Sequence, residues 1–313
     1  MPSRSKTLNL LRTIFAILAL AASTANALSE LALPIKKPIA LRDLCGPDNS
    51  QEVEQYDGKL GIAIKSVAAM SGSTVLLEWP GLLEFRERLP GYRLGNLYGR
   101  KWCTGTLFGG RYILTAGHCI EHSNGKFEYG VHVPMKRTDD FSYIEPKELA
   151  KFLYIRTNYQ VDSRGINRKD QHTIRIGRLL ESSFRSASGL DYAILSVHDD
   201  DLGKINVGSA SISTSNVSKG DIIAVIQHPL GGKKKINANS VTRTDGKTIW
   251  YDNIDTQLGS SGAAIRNEKG DIVGVHTDAG CEIDEDGNFG NSISAIVKES
   301  KFLSNFVAGD DEL

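Results

Sequence analysis

Short apolar runs, interrupted every few residues by Gly, Asn or Asp, are the feature that most restricts the fold of this chain. Each run is only four to seven residues long, which suits a strand better than a typical helix. Many short strands with frequent turns predict an all-β protein built as a sandwich or a barrel. The runs are Gly61–Val67, Thr74–Trp79, Thr104–Phe108, Tyr112–Ala116, Tyr192–Val197, Ile222–Ile226, Thr248–Tyr251 and Ile272–His276.

Helical periodicity is clear only near the C-terminus, and one shorter helix is predicted elsewhere. A short helix is predicted to begin at Pro146, because proline is favoured in the first turn of a helix. Apolar residues at helical spacing predict one amphipathic helix close to the C-terminus. Those residues are Ile296, Val297, Phe302, Leu303 and Phe306.

The N-terminus has the parts of a secretory signal peptide. Three basic residues within positions 1–12 precede the apolar run Ile14–Ala22, and Ala25-Asn26-Ala27 matches the small-residue cleavage pattern. A membrane anchor is the less favoured alternative, because crossing a bilayer takes roughly 20 apolar residues. We predict cleavage after residue 27 and a secreted, extracellular protein without membrane association, with a periplasmic location as the alternative.

The charge balance argues against a nucleic-acid partner. The 313 residues include 37 Lys and Arg against 37 Asp and Glu, whereas a nucleic-acid binder is normally strongly basic. Residues 1–27 hold three of the basic residues and no acidic one. The remainder therefore has 34 positive and 37 negative charges, a net charge of −3.

Four cysteines in an exported protein predict disulfides, with free buried thiols as the alternative. Four cysteines allow three pairings, and their spacing matches no zinc site. The acidic segment Glu282–Asn288 alternates potential calcium ligands, but Gly287 comes too early for an EF-hand loop, and a plain turn is favoured. We expect no metal and no cofactor.

Three segments carry residues with catalytic chemistry. His118 lies at the end of an apolar run, in Leu114–Cys119, and Asp191 lies at the head of another, in Gly189–Leu195. In Asp255–Ala263, glycines on both sides of a serine pair permit a tight turn. Such a turn can expose a hydroxyl and direct backbone N–H groups at one point.

In these motifs and in their order, His then Asp then Ser, the chain resembles the chymotrypsin-like serine peptidases. The resemblance covers residues 45–306 and implies a double six-stranded β-barrel with a short C-terminal helix. It implies that Ser261 is the nucleophile, that His118 is its general base and that Asp191 orients the imidazole. Ser260 is the rival nucleophile, and the register Gly-x-Ser-Gly favours Ser261.

The same resemblance implies the parts around the triad. It assigns the oxyanion donors to the backbone N–H groups of Gly259 and Ser261. It implies an N-terminal barrel in residues 45–198, with the histidine and the aspartate, and a C-terminal barrel in residues 199–313, with the serine and the helix.

Two disulfides and a zymogen are also expected. The resemblance implies a bridge between Cys103 and Cys119 and, with it, one between Cys45 and Cys281. No Ile-Val-Gly-Gly start follows a basic cleavage site, so activation of the trypsin type is not expected. Residues 28–44 are predicted to be a leader or propeptide removed by another route, with Lys36-Lys37 and Arg42 as candidate cleavage sites.

Within this family the motifs are most similar to those of the glutamyl endopeptidase group. Thr256 lies five residues before Ser261 and His276 lies fifteen after it, which matches the pair that holds an acidic substrate side chain in that group. The resemblance therefore implies cleavage after Glu. Asp278 and the acidic segment that follows oppose this interpretation. The alternatives are a preference for basic residues, with Asp255 at the base of the pocket, and a broad specificity.

The class of function also has alternatives. A monomeric endopeptidase acting on proteins or peptides is favoured. A catalytically silent binding or adhesion module on the same fold is the competing hypothesis, against which the intact triad argues. A third hypothesis is an enzyme that acts only on esters or on its own chain.

Overall fold

The computed structural model describes residues 44–137, 142–184, 186–281 and 287–309. The predicted signal segment, nearly all of the predicted leader and residues 282–286 of the acidic segment lie outside the described residues. The described residues belong to the compact unit formed by residues 39–313. Among them, no helix is both long enough and apolar enough to cross a membrane.

Strands dominate the described part of the chain and alternate with short helices and turns. In chain order the strands are β1 (Gln51–Glu52), β2 (Thr74–Glu78), β3 (Tyr92–Arg93), β4 (Lys101–Phe108), β5 (Tyr112–Thr115), β6 (Met135–Lys136), β7 (Tyr154–Arg156), β8 (Thr173–Ser183), β9 (Tyr192–Val197), β10 (Ile222–Gln227), β11 (Lys235–Thr244), β12 (Thr248–Tyr251), β13 (Ala264–Asn267), β14 (Ile272–Asp278) and β15 (Asn288–Ser292).

Two closed antiparallel rings of six strands form the core, which confirms the predicted fold class. The first ring runs β2-β4-β5-β9-β8-β7. The second runs β11-β10-β13-β14-β15-β12 and is closed by pairing of β11 with β12, while β1 adds to its outside along β11. Closure removes the unpaired edges that an open sheet would expose.

Strand register in the first barrel positions two of the predicted site residues. β5 and β9 are antiparallel, with Thr115 opposite Ala193, so the end of β5 lies beside the start of β9. The residues that follow β5 and those that precede β9 therefore meet. This brings His118 and Asp191 together, although 72 residues separate them in the chain.

The second barrel positions the serine in the same way. β13 and β14 are antiparallel, with Ala264 opposite Val275. The turn that precedes β13 therefore lies beside His276, and the hydrogen bond from the Gly262 N–H to the His276 carbonyl, 2.8 Å long, continues this pairing.

One predicted strand is wrong. The run Gly61–Val67 belongs instead to helix α1 (Ile64–Ser73) and the turn before it. Val67, Met70 and Ser71 are buried at helical spacing, and the alanines between them favour a helix. The apolar run alone is ambiguous, because it ends at Val67 whereas the helical repeat continues to Ser73.

The remaining helices are α2 (Leu82–Arg88), α3 (Pro146–Ala150), α4 (Ile293–Glu299) and α5 (Lys301–Ala308). α3 begins at Pro146, as predicted. The single C-terminal helix predicted from periodicity is two helices, because the chain leaves helical geometry at Ser300. The hydroxyl of Ser300 accepts the Leu303 N–H at 3.0 Å and so begins α5.

Helix α5 packs against the first barrel, although it follows the last strand of the second. Phe306 contacts Phe108 with ring centroids 5.1 Å apart, and Phe302 contacts Tyr112 at 4.9 Å, both edge to face. The C-terminal helix thus contributes to the packing of the barrel that carries His118.

Candidate active site

The histidine and aspartate of the first barrel form a tight pair. His118 lies in the 3-10 turn Gly117–Cys119 that directly follows β5. Its Nδ1 lies 2.6 Å from Asp191 Oδ2, and its backbone N–H donates to Asp191 Oδ1 at 2.9 Å. Gly117 permits this approach, because a Cβ there would lie 3.0 Å from Asp191 Oδ1 and would also meet the backbone of β9.

The pair holds His118 in one orientation and favours its protonated form. Burial disfavours the charged imidazole, but the charge and the hydrogen bond of Asp191 outweigh burial and raise the pKa of His118. Asp191 is itself held from the second barrel, because its backbone N–H donates to Asn291 Oδ1 at 2.7 Å. Nδ1 is occupied by the carboxylate, so Nε2 is the ring nitrogen left for chemistry.

The serine turn separates its two hydroxyls. Ser260 is fully buried, and its Oγ accepts the Gln257 N–H at 3.0 Å. Ser261 is partly exposed and lines a cavity of about 300 Å³ together with His118 and Gly259. Of the two serines, therefore, Ser261 faces the open cavity.

No hydrogen bond joins Ser261 to His118 in the described part of the chain. Such bonds between a nucleophile and its base are commonly long until substrate binds. Both side chains line the same cavity, which also presents the apolar groups of Phe127, Tyr129 and Leu230.

Two backbone N–H groups of the serine turn are available to a ligand. Within the described residues, neither the Gly259 N–H nor the Ser261 N–H donates to a protein acceptor. Gly259 has φ +96° and Gly262 has φ +82°, a region that suits glycine. A Cβ on Gly262 would meet Thr115 Oγ1 and the Thr104 carbonyl, so the turn packs directly against the first barrel.

His276 lines the cavity, whereas Thr256 lies behind its wall. Thr256 is 1% exposed, and its Oγ1 accepts from Asn288 Nδ2 at 3.0 Å. His276 Nδ1 lies 2.6 Å from the Tyr251 hydroxyl. Burial, with repulsion from His118, lowers the pKa of His276 to about 3, so this imidazole is neutral at pH 7.

Asp255 is turned away from the cavity. Its two carboxylate oxygens accept the backbone N–H groups of Cys45 and Asn49, each at 3.0 Å. The residue is 3% exposed and does not line the cavity. It therefore presents no carboxylate to a basic substrate side chain.

Both expected disulfides are present, Cys103–Cys119 and Cys45–Cys281. Cys103 and Cys119 also form, with His118, a group of potential metal ligands in the described part of the chain. Their sulfurs are bonded to each other and supply no thiolate. The imidazole alone makes no cation site.

Several residues that shape the site were not found from the sequence. Asn291, which holds the backbone of Asp191, and Tyr251, which holds His276, lie far along the chain from the motifs. Thr104, in β4 of the first barrel, donates a hydrogen bond to the serine turn. A polar residue inside an apolar strand, as at Thr104, is the one sequence signal that could have pointed to it.

Comparison with known proteins agrees with this geometry. A family model described as a trypsin-like peptidase domain matches residues 103–275. The chain is 25% identical to exfoliative toxin A of Staphylococcus aureus over 224 residues, 68% of this chain and 70% of the toxin. It is also similar to the solved structure of a Glu endopeptidase in complex with MPD, with TM-score 0.53 and 23% identity, covering 84% of this chain and 98% of that one. The family resemblance predicted from the motifs is confirmed.

Proposed function

This chain belongs to the trypsin-like peptidase family, and we propose that it is a serine endopeptidase that acts through Ser261, His118 and Asp191. One observation carries the proposal. A partly exposed serine shares a cavity with an imidazole whose Nδ1 is held by a buried carboxylate. Two backbone N–H groups in the turn of that serine have no acceptor within the described part of the chain.

The chemistry follows from what each group can do. His118 Nε2 takes the proton of the Ser261 hydroxyl as Oγ attacks the substrate carbonyl carbon. Asp191 fixes the imidazole tautomer and stabilises the imidazolium. The N–H groups of Gly259 and Ser261 bind the oxyanion. His118 then protonates the leaving amine. In the second half of the reaction, His118 takes a proton from water as the water attacks the acyl-enzyme, and it returns the proton to the departing Ser261 oxygen.

Active-site labelling tests the nucleophile. A fluorophosphonate probe should label the purified protein and fail to label Ser261→Ala, since the probe forms its bond with an activated serine. Ser260→Ala is the matched control, because it removes the neighbouring buried hydroxyl and should keep labelling. Undiminished labelling and peptide cleavage by Ser261→Ala would reject the assignment.

The same experiment separates an enzyme from a binding module. A catalytically silent module on this fold would have the three triad residues but would neither react with the probe nor hydrolyse substrates. Absence of labelling in the folded parent protein, together with no hydrolysis of peptides or esters, would favour that alternative. Hydrolysis of esters without peptides would support the narrower esterase hypothesis.

Cleavage after Glu is our proposal for specificity. An acidic side chain leaving water needs hydrogen-bond donors, because an unpaired buried carboxylate costs several kcal/mol. Thr256 lies behind the cavity wall, and its hydroxyl, which accepts from Asn288, has no acceptor for its own proton among the described residues, so it can donate to a carboxylate that reaches it. Neutral His276 carries one N–H; with the Tyr251 hydroxyl donating to Nδ1, that N–H is on Nε2 and is the second donor. The capped carboxylate of Asp255 weighs against a basic preference.

A peptide library tests this proposal. Substrates with Glu before the scissile bond should be cleaved fastest, and Thr256→Val and His276→Ala should each reduce the preference for Glu over Gln. Thr106→Val is the control, because Thr106 is a fully buried threonine of β4 that does not line the cavity. Dominant cleavage after Lys or Arg would reject the Glu proposal while leaving the endopeptidase intact.

Export and maturation complete the proposal. Residues 1–27 are removed as a signal peptide, residues 28–44 are removed as a propeptide, and the mature monomer is secreted. The two disulfides support an oxidising compartment. N-terminal sequencing of the exported protein tests both cuts; a fully active form that begins at Leu28 would contradict the propeptide.

A further inference from the structure

Thr104 lies in β4 of the first barrel, yet its hydrogen bonds reach the serine turn of the second. The residue is fully buried. Its Oγ1 donates to the Gly259 carbonyl at 2.8 Å, and its backbone N–H donates to the Ser261 carbonyl at 2.9 Å. Oγ1 also accepts the His228 N–H at 3.0 Å. The one hydroxyl therefore joins the serine turn to the His228 turn.

The orientation of the Gly259 N–H depends on the carbonyls on either side of it. In a trans peptide the N–H and the preceding C=O point in opposite directions. The Leu258 carbonyl accepts the Leu230 N–H at 2.5 Å, so the Gly259 N–H on the same peptide is turned away from Leu230. The next peptide is fixed by the bond from Thr104 Oγ1 to the Gly259 carbonyl.

Gly259 needs these two hydrogen bonds to keep its flanking peptides in one orientation. Gly259 has φ +96°, and without a side chain it can rotate its flanking peptides more freely than any other residue. A side chain could not replace the bonds, because a Cβ at Gly259 would lie 2.7 Å from the His228 carbonyl oxygen and 2.9 Å from the Gly231 nitrogen. The peptides are therefore held by hydrogen bonds alone.

Thr104 holds the Gly259 carbonyl directly and also supports the turn whose Leu230 N–H holds the Leu258 carbonyl. His228, whose N–H it accepts, begins the turn Pro229–Gly231, which presents the Leu230 N–H to Leu258. Leu230 has φ +53°, an uncommon conformation for a residue with a side chain. Loss of the Thr104 hydroxyl would free the Gly259 carbonyl and leave the His228 N–H unpaired in the interior.

We propose that Thr104 is a positioning residue of the oxyanion hole, whose buried hydroxyl fixes the Gly259 peptides from the opposite barrel. This rests on the proposed endopeptidase function. Thr104 does not touch the substrate; it holds the donor that binds the oxyanion. Because that interaction forms in the transition state, its loss lowers kcat and leaves KM unchanged.

Thr104→Val tests the proposal, since valine has nearly the same shape without the hydroxyl. We expect kcat to fall about 10- to 100-fold, less than the roughly 100- to 1,000-fold loss typical of deleting an oxyanion donor. KM and the pH dependence set by His118 should not change. Thr104→Ser restores the hydroxyl and should recover most of kcat.

The same strand offers a matched control. Thr106 is also fully buried in β4, but its Oγ1 has no hydrogen-bond partner among the residues that the structure describes. Thr106→Val should therefore keep the parent kcat. If Thr104→Val does not fold, as judged by circular dichroism, Thr104→Ser and Thr104→Ala form a pair that again differs mainly in the hydroxyl.

A transition-state analogue gives a readout that a general loss of structure would not reproduce. A peptide aldehyde forms an oxyanion on the nucleophile, so its affinity should weaken by the same factor as kcat/KM, while the affinity for product peptide stays constant. Parent-like kcat in Thr104→Val, or a change confined to KM, would overturn this proposal alone. An inert parent protein would instead overturn the proposed function.

Discussion

At the scale of single residues, carboxylates on two sides govern the charge of His118. Asp191 is hydrogen-bonded to the imidazole at 2.6 Å, and Asp278 acts on it through charge from the wall of the same cavity. Both raise the pKa of His118, against the effect of burial. General-base catalysis needs the neutral imidazole, so activity should increase as pH rises through this pKa.

Removing the charge of Asp278 should extend activity to lower pH. Asp278→Asn takes away a negative charge that stabilises the imidazolium, so the pKa of His118 falls and the acidic limb of kcat/KM moves to lower pH. Asp199→Asn is the control, because that carboxylate pairs with Arg111 instead. An acidic limb that stays in place in Asp278→Asn would contradict the assignment of the limb to His118.

The neutral state of His276 gives a second prediction about pH. Because the pKa of this histidine is lowered to about 3, its charge does not change between pH 5 and pH 8. The ratio of kcat/KM for a Glu substrate to that for its Gln counterpart should therefore stay constant over this range. A histidine that lost its positive charge within this range would instead bind Glu less well as pH rises. A ratio that falls around pH 6 to 7 would show that His276 titrates there.

At the scale of secondary-structure elements, the motifs predicted the site better than the apolar runs predicted the elements. His118, Asp191 and Ser261 lie just outside the ends of strands, and antiparallel register brings these strand ends together. The helix in place of a strand at residues 64–67 and the break at Ser300 were missed, because short apolar runs fit either structure and one cap interrupts a helical repeat.

The supporting contacts to backbone atoms of distant elements could not be predicted. Thr104 precedes the serine turn by more than 150 residues, and Asn291 follows Asp191 by 100. Their partners are backbone atoms, which carry no residue-specific signal. Only the three-dimensional register of both barrels identifies such bonds.

The bridge between β4 and the histidine turn gives a prediction at this scale. Cys103 and Cys119 are 16 residues apart, and closing a loop of that length contributes about 3 kcal/mol by restricting the unfolded chain. Replacing both cysteines by alanine should lower the free energy of unfolding by about that amount in urea. Single replacement of either cysteine is the comparison, and an unchanged unfolding midpoint in the double variant would contradict the prediction.

At the scale of the whole molecule, helix α1 links the two barrels through buried cations. Arg266 of β13 donates to Ser73 Oγ at 2.7 Å, and Lys234, just before β11, donates to the Ser71 carbonyl at 2.6 Å. From the first barrel, Gln160 accepts from Ser71 Oγ at 3.1 Å. Both cations are fully buried, and neither forms an ion pair with an acid among the described residues. The junction is therefore held by hydrogen bonds at the expense of desolvated charge, and Arg266 Nε has no hydrogen-bond partner among the described residues.

Lys234 makes the stability of the molecule depend on pH. Burial, with repulsion from Arg168 and Arg266, lowers its pKa from 10.5 to about 7. Below pH 7 the lysine is charged in both the folded and the unfolded state, and the cost of burying the charge is fully present. Between pH 7 and pH 10.5 the folded protein releases the proton while the unfolded chain keeps it, so the cost declines as pH rises.

Lys234→Met should therefore stabilise the protein most at low pH. At pH 6 the variant should unfold at a higher temperature than the parent, with a gain in free energy on the order of 2 kcal/mol, as in replacements of buried charges by apolar residues. The gain should shrink between pH 7 and pH 9.5. The Ser71 carbonyl keeps a second donor, the Thr74 N–H, so the replacement leaves it paired.

Lys235→Met is the matched control. The Lys235 ammonium is partly exposed and lies 3.7 Å from Asp48, so its charge has no desolvation cost comparable with that of Lys234. Its effect on unfolding should be small and should not vary in the same way with pH. Thermal unfolding of the parent and both variants at several pH values gives the contribution of Lys234 as a difference between pH 7 and pH 9.5, a range above the ordinary pKa of the carboxylates that Lys235 contacts. A gain that is constant from pH 6 to pH 9.5 would mean that Lys234 does not titrate in the folded protein.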